Sequence, residues 1–73
     1  MYTRSSVSAI VQRILRVYHE SDASPSIKEF EIFMLFTEYP SHVPSVLKEL
    51  KKRDTAVHHL CSFLWERSVH FYE

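Results

Sequence analysis

From Lys48 to Arg53 the chain reads Lys-Glu-Leu-Lys-Lys-Arg, four cations in six positions, and Thr55, His58, His59 and Ser62 follow within nine residues. Ammonium and guanidinium groups set this close hold oxyanions through charge-assisted hydrogen bonds, and phosphate is the anion they suit best. The plain alternative for Lys48, Lys51, Lys52 and Arg53 is a solvated basic face that serves solubility. A second constellation is His58 with Cys61, three residues apart, which a helix would bring to one side. Structural zinc requires four ligands, so His42 or His70 would have to converge on that pair. Cys61 falls on an apolar stripe, where a free cysteine packs as a small hydrophobe. No metal and no cofactor are expected. Cys61 with a histidine could also be imagined as nucleophile and base, but a chain without glycine has no glycine-rich loop to shape an oxyanion hole. Glu29 and Glu31 diverge on a helix and read as surface acids. Catalysis is therefore not expected.

The elements that must carry these residues are helical. Glycine and asparagine, which most readily take positive φ, are both absent, and tight hairpins are disfavoured accordingly. Val7, Ile10, Val11, Ile14 and Tyr18 recur at spacings of three and four, predicting an amphipathic helix over about residues 5–20 with Ser5 or Ser6 as N-cap. Ser26 and Glu29 have capping-box spacing after Pro25, opening a second helix that ends before Pro40. That helix is apolar nearly all round (Ile27, Phe30, Ile32, Phe33, Met34, Leu35, Phe36), the pattern of a central, buried element. Pro44 opens a third, short helix with Val46, Leu47 and Leu50 inward. Asp54 is the N-cap of a fourth, whose inward stripe is Val57, Leu60, Cys61, Leu64 and Ser68. The tail from Val69 to Tyr72 alternates apolar and polar residues and suits either a short strand or a fraying helix end.

Length and composition bound the rest. Seventy-three residues with one cysteine make a single domain, 1–73, that no internal disulfide can staple. The longest apolar run, Ile32 to Phe36, is far too short to span a bilayer, and the N-terminal stretch does not read as a secretory signal. A cytoplasmic, non-membrane protein is expected. Net charge is zero, yet residues 1–20 sum to +2, 21–40 to −3 and 48–53 to +3. Tyr2, Tyr18, Tyr39, Phe63, Trp65, Phe71 and Tyr72 cannot all be interior in so small a body, so part of them should form an exposed patch for a protein partner.

The order of these beats resembles the winged helix-turn-helix of MarR-like bacterial regulators. A buried helix comes first (Ser26 to Pro40), then a short one with Val46, Leu47 and Leu50. A turn leads into a recognition helix with beats at Val57, Leu60, Cys61 and Leu64, and Val69 to Tyr72 takes the place of the first wing strand. The resemblance implies an all-α, compact four-helix domain of helix-turn-helix type, with that C-terminal strand as an option. It implies a transcriptional regulator that binds duplex DNA through residues 44–66. Lys48, Lys51, Lys52 and Arg53 would hold phosphates, and Thr55, His58, His59 and Ser62 would face base edges. Val7, Ile10, Val11, Ile14 and Tyr18 would supply the interface of a homodimer. The chain departs from the pattern at Lys51 and Ser68, where glycines are usual. With Glu73 as the last residue, a two-stranded wing is not expected. The alternative is a protein-binding modulator, a co-regulator or phage-type inhibitor of host machinery, on the same scaffold without DNA binding.

Overall fold

Four α-helices and one 3₁₀ turn make up the computed structural model, which describes the backbone of residues 3–71 and the side chains of residues 6–67. Helix α1 (Thr3–Glu20) starts two residues before Ser5. Ser5 and Ser6 therefore sit inside the helix and do not cap it, since neither Thr3 nor Arg4 breaks a helix.

Helix α2 (Pro25–Glu38) begins at the proline, whose missing N–H and fixed φ suit the first helical position. Ser24 is the N-cap residue, extended at φ −65° and ψ 159°, and its side chain makes no capping bond. The Ser26–Glu29 capping box is thus corrected: with Pro25 at the first position, Ser26 already lies within the first turn. The helix stops where Tyr39 N–H reaches the Leu35 carbonyl at 3.0 Å, ahead of Pro40. A 3₁₀ turn (Pro40–His42) leads into α3 (Val43–Arg53), which puts Pro44 second in the helix and adds Val43 to its buried face.

Asp54 alone separates α3 from α4 (Thr55–Phe71). Its backbone is extended, at φ −155° and ψ 98°, and its Oδ1 accepts the Val57 N–H at 3.2 Å. That is N-capping, as the sequence suggests. Lys48 to Trp65 is accordingly two helices meeting at a corner. Helix α4 carries through Val69 and His70 to Phe71, so these residues are helical and the optional strand is absent among the described residues. Tyr72 lies outside them. The fold is all-α with four helices, and no described helix is long and apolar enough to cross a membrane.

Helix α3 packs on α4 and α1, and α2 packs on α1 and α4. The core comprises Ile10, Val11 and Ile14 of α1, Ile32 and Phe36 of α2, Val43, Val46 and Leu50 of α3, and Val57, Cys61 and Leu64 of α4. Leu47 and Leu60 pack against it half-buried. Phe36 meets Trp65 edge to face, with ring centroids 5.9 Å apart. The radius of gyration, 11.6 Å, is close to the roughly 11 Å expected of a single packed domain of this length.

Two expectations fail in this packing. Val7, Ile10, Val11, Ile14 and Tyr18 do not form a free dimer face. Ile10, Val11 and Ile14 are buried within the one chain, and Val7 and Tyr18 pack against that core. An apolar stripe must be covered, and here α2 and α3 cover it. The second correction concerns α2. Only Ile32 and Phe36 are buried on it, while Ile27, Phe30 and Met34 are 50, 61 and 46 % exposed. The body measures 34 × 33 × 20 Å, and 20 Å is about two helix diameters. In a slab two helices thick no helix is enclosed on all sides, so α2 must show one face to water.

Candidate interaction sites

The basic cluster surrounds the Asp54 corner. Lys51, Lys52 and Arg53 form the last turn of α3, where cations offset the negative end of the helix dipole. All three are exposed, as are Lys48 one turn earlier and Thr55 and His59 on α4. Arg53 donates from Nε to Glu49 Oε2 at 2.9 Å. Both side chains are partly exposed, and a pair of this kind contributes about 1 kcal/mol at most. Lys48, Lys51 and Lys52 have no carboxylate partner among the described residues.

His58 is placed differently from the expectation. It is half-buried, with Nδ1 2.9 Å from the Leu47 carbonyl oxygen. A carbonyl only accepts, so Nδ1 carries the proton and donates. His58 therefore ties α4 back to α3 instead of facing outward, because its position flanks the Val57–Cys61 stripe on the side that α3 covers. Ser62 is also half-buried. The corner brings six of the eight anticipated residues to the surface, with His58 turned in and Ser62 half covered.

One contact at this corner has no precursor in the sequence pattern. His19 Nε2, in the last turn of α1, donates to Asp54 Oδ2 at 2.8 Å. Asp54 thus breaks one helix, caps the next and anchors a third. The His19 hydrogen bond, followed by the Val57 N–H, holds its carboxyl below the usual aspartate value. Two residues thirty-five apart leave no periodic trace that could have revealed the pair.

Cys61 is fully buried, and burial pushes its thiol up to about 12. It stays protonated at neutral pH and packs as a small hydrophobe. No group of three or more His, Cys, Asp or Glu among the described residues could hold a metal ion.

The exposed side of α2 is the surface that the sequence reading missed. Ile27, Phe30 and Met34 follow at i, i+3 and i+7, forming one stripe along the helix. A groove of about 300 Å³ runs beside it, with Val17 and Leu35 among its lining and Glu31, Glu38 and Arg13 also lining it. Lys28, the one base of α2, is engaged elsewhere: its Nζ donates to the Tyr18 carbonyl at 3.0 Å and lies 6.0 Å from the Tyr18 ring. Of the aromatics expected in an exposed patch, Tyr39 and Phe63 are exposed, and Tyr18 and Trp65 are half-buried. The side chains of Tyr2, Phe71 and Tyr72 lie outside the described residues. An arginine, Arg67, covers part of Phe63, with its guanidinium carbon 5.5 Å from the ring centroid.

Compared with protein-family models, curated proteins and solved structures, the chain gives no match.

Proposed function

We propose that the chain is a small protein-binding modulator that seats an amphipathic, base-flanked helix of a partner protein along the exposed side of α2. The observation that carries this reading is the stripe of Ile27, Phe30 and Met34, large apolar side chains each about half or more exposed. Water-exposed apolar groups at helical spacing suit a partner helix that inserts its own apolar face beside them. The gain on covering them is hydrophobic, about 25 cal/mol for each Å² removed from water.

Charge selects the partner. Glu31 and Glu38 are exposed and outnumber Arg13 along the groove, and residues 21–40 as a whole sum to −3. A helix bearing Lys or Arg beside its apolar face complements that rim. A second copy packed α2 against α2 would instead bring Glu31 and Glu38 of both chains together, which disfavours a symmetric dimer. The setting we propose is the cytosol, where the single free thiol persists.

The test uses two synthetic helices of about 18 residues with the same apolar face, one flanked by Lys and one by Glu. Fluorescence anisotropy should show saturable binding of the Lys-flanked helix and at least tenfold weaker binding of the other (~10-fold per 1.4 kcal/mol). Equal affinity for both, or none for either, would end this reading.

A second reading is favoured by one observation of its own. The break at Asp54 leaves Lys48, Lys51, Lys52, Thr55 and His59 exposed around a single corner between α3 and α4. This is where a helix-turn-helix regulator would meet a DNA backbone. Zero net charge weighs against it, since no overall field draws the chain to a polyanion. Duplex binding that falls steeply with salt and weakens in the Lys51→Ala/Lys52→Ala variant would support it. No mobility shift of a mixed-sequence duplex at low salt would dismiss it.

A further inference from the structure

Beside the Asp54 corner, and sharing Lys48, Lys52 and Arg53 with it, α1 and α3 border an open groove of about 590 Å³, within the range of small-ligand sites. Val7 and Ser8 form its α1 wall, and Ser45, Lys48, Glu49, Lys52 and Arg53 form its α3 wall. Ser45, Lys48 and Lys52 stand at spacings of three and four, on one face of α3. Glu49 is the only carboxylate among these residues, and it is taken by Arg53 at 2.9 Å. That pair cancels. Lys48 and Lys52 have no such partner among the described residues, so the groove keeps two uncompensated positive charges beside two hydroxyl groups.

We propose that this groove binds a phosphate monoester, with Lys48 and Lys52 supplying charge and Ser8 and Ser45 supplying hydroxyl donors. A monoester carries about 1.5 to 2 negative charges at neutral pH, which matches two ammonium groups. One helical turn separates the two lysines, about 6 Å along the axis, so their flexible stems can bring both ammoniums to one phosphoryl group. Val7 offers a short apolar wall to the organic part of the ester. A polyanion is a poorer fit, because the concavity is local and the chain as a whole is uncharged. The groove shares no residue with the α2 stripe, so its failure and that of the protein-binding reading are separable.

The experiment is a ¹H–¹⁵N titration of the full chain with phenyl phosphate, with inorganic phosphate, and with sodium chloride at matched ionic strength. The proposal expects saturable shifts at Ser8, Ser45, Lys48 and Lys52 with both phosphates, and only small, unsaturated shifts with chloride. Lys48→Ala/Lys52→Ala should weaken binding at least ~10-fold, and Ser8→Ala should weaken it less, since a charged donor bonds a phosphate more strongly than a hydroxyl does. Both lysines are exposed, so the double variant should keep its helical circular dichroism. Shifts equal for phosphate and chloride would overturn the site. So would a short duplex shifting Thr55 and His59 while the phosphates leave Ser8 and Ser45 unmoved, since the lysines would then belong to the DNA corner.

Discussion

Truncating Phe30 to alanine separates a binding role from a structural one, and its size can be worked out. A phenylalanine buries about 200 Å² when fully covered, and Phe30 is 61 % exposed, leaving about 120 Å² for a partner helix to cover. At about 25 cal/mol per Å² this is about 3 kcal/mol; alanine keeps part of it, so the loss on truncation is about 2 kcal/mol. That corresponds to roughly 30-fold weaker binding of the Lys-flanked helix. The fold should feel far less. The covered remainder of the side chain is small, and alanine's better helix propensity returns about 0.5 kcal/mol, so the net cost is about 1 kcal/mol. Phe36→Ala is the contrast: it is 1 % exposed, and its truncation should cost about 3–5 kcal/mol. A domain of 73 residues has about 4–11 kcal/mol in all, so that variant should lose from about a quarter of its stability to all of it. Anisotropy gives the affinities and urea unfolding the stabilities. A folded Phe30→Ala protein that binds the helix within about twofold of the parent (under ~0.5 kcal/mol) would refute the reasoning.

Asp54 should shape the acid limb of stability. Its carboxyl titrates lower in the fold than in the unfolded chain, so its contribution is present above the unfolded value and is lost as pH falls through the folded one. Asp54→Asn, which keeps a capping oxygen, should flatten the fall of Tm between neutral pH and acid; parallel curves for the two proteins would contradict this. Cys61 should resist alkylation by iodoacetamide at mildly alkaline pH until denaturant opens the fold, and rapid labelling of the native protein would contradict its burial. His58→Ala removes the bond to the Leu47 carbonyl and should destabilise the α3–α4 corner by about 1 kcal/mol in urea unfolding, whereas an unchanged midpoint would mean that the bond contributes nothing.

The one-sided helices were legible because each has a face to hide. Val7 to Tyr18, Val46 to Leu50 and Val57 to Leu64 each carry a stripe at helical period, and each packs inward. Asp54 was legible as well, since a short acid ahead of a new apolar period is the usual mark of a cap. What a stripe does not encode is the identity of its cover, and the α1 stripe proved to be covered by its own chain rather than a second copy. Helix α2 misled for the opposite reason. Apolar residues on nearly every side give no preferred direction, and only the two-helix thickness of the body decides that Ile32 and Phe36 go in while Ile27, Phe30 and Met34 stay out. From Val69 to Phe71 the alternation is too short to outweigh the continuing helical turn. His19 with Asp54, and His58 with Leu47, are tertiary pairings that depend on how helices cross, which residue spacing does not reveal.

The proposed docking surface can be watched through the methyl groups of Ile27 and Met34. In ¹H–¹³C spectra of the selectively labelled protein, adding the Lys-flanked helix should shift the Ile27 and Met34 methyl signals progressively to saturation, with Val57 and Leu64 methyls nearly still. Saturable binding that moves residues of the α3–α4 corner, such as Thr55, and leaves Ile27 and Met34 in place would contradict the proposal that the exposed side of α2 seats this helix.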